Sequence, residues 1–139
     1  MNLRAWIFRR LRPKSIGSRG EDAAAKYLKR HGYRILARHL DSPLGELDII
    51  AVDGRTIVFV EVKTRSSSAA GSPADAIDPR KQQRMTQAAL AYLKRNGLLK
   101  YSARFDVLAI TWPADARRPT AIVHVRNAFE PTGKWQLFS

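Results

Sequence analysis

Residues 56–65 read TIVFVEVKTR, and they set Glu61 and Lys63 two positions apart in a run otherwise suited to a buried strand. Strand side chains alternate between faces. Glu61 and Lys63 therefore share one face with Ile57 and Phe59, while Val58, Val60 and Val62 take the other. Apolar residues on both faces predict a strand covered on both sides, where a charge is costly unless it is paired or used. Upstream, GELDIIAVDG places Glu46, Asp48, Ile50 and Val52 on one face by the same alternation. Asp53-Gly54 predicts a turn, so the two segments should form an antiparallel hairpin. A four-residue loop, Asp53 to Thr56, pairs Val52 with Ile57 and Asp48 with Glu61; a two-residue loop pairs Glu46 with Glu61 and Asp48 with Phe59. Either way, Asp48 and Glu61 lie on the same side of the sheet. Directly opposed, their Cβ atoms would be about 5 Å apart. Like charges that close repel, and a divalent cation between them relieves the repulsion. Oxygen-only ligands favour a hard ion, Mg²⁺ or Mn²⁺.

Lys63 gains a role beside such a pair. Its ammonium could hold a phosphate oxygen, orient an attacking water or help to deprotonate it, and the sequence does not choose among these. A metal would add Lewis acidity and lower the pKa of that water. Glu21, on the inner face of a predicted helix, could hold a water or a second ion; a capping role would explain it without chemistry. Likewise, Asp48 and Lys63 could simply form an ion pair across a hairpin, and an E-x-K triplet alone is weak. The signal is the set: a carboxylate, an E-x-K thirteen positions further on, and a Glu on a helix's inner face, in a chain of net charge +13.

These residues need elements to hold them. Residues 18–31 have a helical pattern, with Ser18 as candidate N-cap, Glu21 three positions on as in a capping box, and Gly32 as the stop. Ala24, Ala25 and Leu28 form its apolar stripe, with Tyr27 at the margin, and Glu21 falls on that stripe. Strand patterns follow at Tyr33–Arg38, Glu46–Asp53 and Thr56–Lys63. The small residues of 66–74 predict a loop. A second helix should run from Pro79 to about Asn96, capped by Asp78 and stopped at Gly97. Met85, Ala88, Ala89, Tyr92 and Leu93 form its buried stripe, which Lys81 and Gln82 continue one turn earlier; Arg80, Arg84, Lys94 and Arg95 should be wet. Two more strands are expected at Ala103–Trp112 and Thr120–Arg126. The order α-β-β-β-α-β-β predicts an α/β fold, a mixed central sheet flanked by helices. The segment from Thr56–Lys63 through the second helix to Ala103–Trp112 reads as a right-handed crossover between parallel strands.

Composition narrows the partners. The chain has 139 residues, enough for one domain with a core. Lys and Arg number 25 against 12 Asp and Glu, and the pI is near 10.9. Such a balance points to a polyanion, most often nucleic acid. There are no cysteines, which excludes disulfides and thiolate metal sites and fits a reducing compartment. No apolar run approaches the ~18 residues of a membrane span, so no membrane partner is expected. The N-terminal MNLRAWIFRRLRPK lacks the long apolar segment of a signal peptide and reads as a basic arm over 1–16. A single domain is expected over 17–127 and a tail over 128–139.

D-x(12)-E-x-K on a hairpin resembles the core of the PD-(D/E)XK nucleases, the restriction-endonuclease-like fold. More narrowly, GEDAAAKYLKRHGYRILAR, GELDIIAVDG, FVEVKTR and RFDVLAI resemble the YraN-like family of bacterial proteins, similar to archaeal Holliday-junction resolvases. The likeness covers roughly residues 17–111. It implies Asp48 and Glu61 as metal ligands, Lys63 as the catalytic lysine and Glu21 as the helix acid. Leu47 precedes Asp48 where the superfamily name has a proline, a departure the narrower family shares.

The leading expectation is a Mg²⁺- or Mn²⁺-dependent endonuclease on DNA, branched or partly single-stranded, in repair or recombination. Arg65, Lys81, Gln82 and Arg84 are the expected nucleic-acid contacts. The rival is a non-catalytic nucleic-acid-binding protein of the same fold, serving a helicase or recombination protein; a third reading is a basic protein bound to RNA or ribosomes. A cytoplasmic, nucleoid-associated location is expected. Junction resolution would need two active sites, hence a homodimer, although no interface is legible. His31, His39 and His124 have no metal spacing and are assigned to surface or packing. Asp106 is either structural or borders the site, and packing is the better role for Trp112 and Trp135.

Overall fold

Asp53-Gly54 turns the chain as its composition demands, with Gly54 at φ +63°. In the computed structural model, which describes residues 16–67 and 77–131, the elements run α1 (Ile16–Arg30), β1 (Arg34–Ser42), β2 (Gly45–Asp53), β3 (Thr56–Arg65), α2 (Pro79–Arg95), β4 (Ala103–Thr111) and β5 (Ala121–Phe129). The expected basic arm and most of the 66–74 loop and of the C-terminal tail lie outside the described residues. The sheet has five strands in the order β1-β2-β3-β4-β5. Only β3 and β4 are parallel, and α2 makes the crossover between them.

The two strand faces feed two cores. Ile50, Ile57, Phe59, Phe105 and Val107 pack on α2 through Met85, Ala88, Ala89 and Leu93. Ile49, Val58, Val60, Leu108 and Ile110 pack on α1 through Ala24, Ala25 and Leu28. A helix on each face explains why β3 is apolar on both sides. Each fully buried large apolar side chain contributes about 1.5–3 kcal/mol.

The hairpin register is that of the four-residue loop, with Val52 opposite Ile57 and Ile50 opposite Phe59. Helix α2 is capped as expected: Asp78 accepts from the Lys81 amide at 2.8 Å, Pro79 opens the helix, and Gly97 beyond its end has φ +66°. Helix α1 differs from expectation. It already includes Ile16, so Ser18 lies inside it and is not its N-cap, and Glu21 is not the partner in a capping box. Gly20 seats α1 directly on β3, where a Cβ would fall 1.9 Å from Thr64 Oγ1. Strand β1 continues to Ser42 rather than ending at Arg38, because its ladder with β2 runs to a tight turn that sets Ser42 opposite Gly45. Strand β5 runs to Phe129, whose ring stacks 4.6 Å from Phe105, so core packing extends two residues past 127.

Candidate functional site

The ladder between β2 and β3 is regular from Asp53↔Thr56 to Ile49↔Val60 and stops there. At the next position the Asp48 carboxylate replaces a backbone acceptor: Val62 N–H donates to Asp48 Oδ2 at 2.9 Å. The strands fork at this point. A cleft of about 260 Å³ opens, lined by Gly45, Glu46, Asp48, Glu61, Lys81, Arg84 and Met85.

Glu61 lies at the cleft wall and is only 3% exposed. A carboxylate so deeply covered requires partners. Lys81 Nζ, from the first turn of α2, donates to Glu61 Oε1, and Lys63 Nζ lies 3.8 Å from the same oxygen. Asp48 is pushed up to about 8, first by burial and then by the charge of Glu61, partly offset by the Val62 hydrogen bond. Lys63 is shifted below the ordinary lysine range by burial and by the charge of Lys81. Lys81 stays above it, because its bond to Glu61 and the charges of Glu61 and Asp48 outweigh its burial. Two electrostatically coupled carboxylates offering only oxygen donors suit a hard divalent cation. Asp48 and Glu61 are the residues that would hold it.

The expected residues divide accordingly. Asp48, Glu61, Lys63, Lys81 and Arg84 come together at the fork. Glu21 stands to one side: its Oε2 lies 3.2 Å from His39 Nδ1, and burial raises its pKa. Gln82 does not line the cleft; its side-chain amide donates to the Ile77 carbonyl at 3.0 Å and fastens the entry to α2. Arg65, at the end of β3, accepts through its carbonyl from the Trp112 amide at 2.7 Å and is also outside the lining.

Asp106 is structural. It is fully buried and sits where the β4–β5 register slips, between Phe105 and Val107. Its oxygens accept from Arg104 Nε at 3.0 Å and the Asn127 amide at 3.0 Å, and His124 Nε2 lies 2.8 Å away. Trp112 packs in the core and donates from its indole to the Ala116 carbonyl, as the packing reading expected; Trp135 lies outside the described residues. His39 and Glu46 are what sequence reasoning missed. Glu46 Oε1 lies 3.5 Å from His39 Nδ1, beside Glu21. The missed signal was SPLG at 42–45: a tight Pro43-Leu44 turn folds β1 back on β2 and brings His39 towards Glu46.

The fold and this cleft define an α/β protein whose mixed sheet carries a half-buried acid–lysine cluster where two strands part. A family model described as "Uncharacterised protein family UPF0102" matches residues 20–110, and the chain belongs to that family. A UPF0102 protein of Geobacter sulfurreducens is 52% identical over 118 residues, covering 84% of this chain and 90% of that protein. One from Rhodopirellula baltica is 49% identical over 120 residues, covering 85% of this chain and 72% of its own length. Among the described residues, no helix is long and apolar enough to cross a membrane.

Proposed function

We propose that the protein is a Mg²⁺- or Mn²⁺-dependent endonuclease of the PD-(D/E)XK type, hydrolysing phosphodiester bonds in DNA that is branched or partly single-stranded, in a cytoplasmic, nucleoid-associated setting. One observation carries the reading. Asp48, held by the Val62 amide, and Glu61, with the Lys63 ammonium 3.8 Å from it, meet at the forked end of β2 and β3. A bound divalent cation would supply Lewis acidity and a more acidic water. Asp48 and Glu61 would hold that cation. Lys63, whose depressed pKa eases proton exchange, would hold a phosphate oxygen or the attacking water. Lys81 and Arg84, which line the same cleft from α2, would hold the substrate backbone. The excess of 25 basic over 12 acidic residues supports a polyanionic substrate.

A second reading is favoured by the Lys81–Glu61 ion pair, which gives Glu61 a partner without a metal. On that reading the protein clamps nucleic acid for a helicase or recombination protein and does not cut it. The test is a panel of junctions, flaps, single strands and plain duplex, incubated with homogeneous protein and Mg²⁺ or Mn²⁺. Nicking is expected from the parent and a loss of at least about 100-fold from Glu61→Gln and Lys63→Ala. Binding should fall steeply with salt in all three proteins. Nicking by Glu61→Gln at the parental rate would end the nuclease assignment, and salt-dependent binding with no nicking from any of them would select the clamp.

A further inference from the structure

We propose that Glu21, His39 and Glu46 form a second divalent-metal site at the mouth of the cleft, one that prefers borderline ions such as Co²⁺, Ni²⁺ or Zn²⁺. The site goes beyond the proposed function, since none of its ligands belongs to the Asp48–Glu61 pair.

The three side chains come from three elements, α1, β1 and β2, and their donor atoms all lie within 4.8 Å of one another. His39 Nδ1 is 3.2 Å from Glu21 Oε2 and 3.5 Å from Glu46 Oε1. Metal bonds of about 2.0–2.2 Å to nitrogen and oxygen set neighbouring tetrahedral donors roughly 3.3–3.6 Å apart. Both His39 separations are close to that spacing. Hydrogen bonding accounts less well for the trio, because Nδ1 carries at most one proton for two carboxylates. A cation between the three would accept the imidazole lone pair and both carboxylates at once.

Its accessibility suits ion entry. The Glu21 side chain is 16% exposed, while those of His39 and Glu46 are each 49% exposed, so the site is anchored on one side and open on the other. The imidazole separates it chemically from the all-oxygen pair deeper in the cleft, since imidazole suits Zn²⁺ and later transition ions better than Mg²⁺. The location also has a use. Glu46 lines the same cleft as Asp48 and Glu61, so its carboxylate stands where a polyanion would enter. A cation at the rim would turn that repulsive entrance into an attractive one.

The experiment uses the full chain in a background of Asp48→Asn with Glu61→Gln, so that failure of the deeper pair cannot imitate failure of this site. Histidine ring signals of His31, His39 and His124 are followed by NMR as Mn²⁺ is added, and Zn²⁺ is titrated by calorimetry. The expected result is that His39 broadens first and that one equivalent of Zn²⁺ binds. His39→Asn is the first variant, because His39 has φ +56° and Asn tolerates that left-handed backbone. Glu46→Gln is the second. Either should weaken Zn²⁺ binding at least about tenfold. Uniform broadening of the three rings, or Zn²⁺ affinity unchanged in both variants, would overturn the proposal. The same His39 broadening in the protein with Asp48 and Glu61 intact is expected and controls for damage by the background substitutions.

Discussion

Asp48→Asn should stabilise the metal-free protein at pH 8. Asparagine is nearly isosteric and keeps a carbonyl acceptor for the Val62 amide, so the strand fork is preserved while the charge goes. Burial and the Glu61 charge raise the Asp48 carboxyl from 3.8 to about 8. At about 1.4 kcal/mol per unit, those four units set a ceiling of roughly 6 kcal/mol. Asp48 is only half-buried and the cleft opens to water, so screening brings the expected gain to about 2–3 kcal/mol. The direction follows from proton counting. Between pH 4 and 8 the folded state retains a proton that the unfolded chain has released, so the Asp48 contribution to stability is fully present below pH 3.8 and is lost as pH rises towards 8. Urea unfolding in EDTA at several pH values measures this, and the difference between the two proteins separates Asp48 from every other titrating group. The advantage of Asp48→Asn should vanish near pH 4 and be largest at pH 8. Mg²⁺ should raise the stability of the parent and leave that of the variant unchanged. A variant equal to or weaker than the parent at pH 8 would refute the view that Asp48 is held under strain by its neighbour.

Two further outcomes test the frame around the site. Gly20→Ala should destabilise by about 1–3 kcal/mol through overpacking, since the new Cβ would meet Thr64 Oγ1 at 1.9 Å. Adding Thr64→Ala should recover part of that loss and adding Thr64→Ser should not, as read by thermal unfolding of the four proteins. Asp106→Ala should cost about 3–5 kcal/mol, because it removes the acceptor of the Asn127 amide and one of the two carboxylates that pair with half-buried Arg104, the other being Asp53. The same unfolding curves check it, and a change below about 1 kcal/mol would contradict the structural role of Asp106.

Most of the sheet was legible because its signals are local. The Asp-Gly turn predicted the β2–β3 hairpin and left two registers open, and alternation placed Asp48 and Glu61 on one side in either of them; the ladder with Val52 opposite Ile57 then decided between them. The crossover followed from a capped helix between two apolar strands. What escaped depends on contacts between distant segments. Gly20 of α1 rests on Thr64 of β3, and no propensity of residues 16–20 reports that contact. Strand β1 alternates poorly because it lies at the sheet edge and slips register between Ile35 and Ala37. His39 is exposed, as a surface residue should be, and what the spacing did not show is that the turn at Pro43-Leu44 also brings it towards Glu46. Gln82 shows what spacing leaves undecided: helical periodicity put it on the inner face, and its amide reaches back to the Ile77 carbonyl.

The parting of β2 from β3 divides responsibility between two pieces of chain. The Asp48 bond to Val62 lies within the β2–β3 hairpin, whereas Lys81 reaches Glu61 from α2, on the far side of the crossover loop. The acids are thus supplied by one unit of the fold and their lysine partner by another. Any change that shifts α2 against the sheet alters the charge balance at the fork without touching either acid.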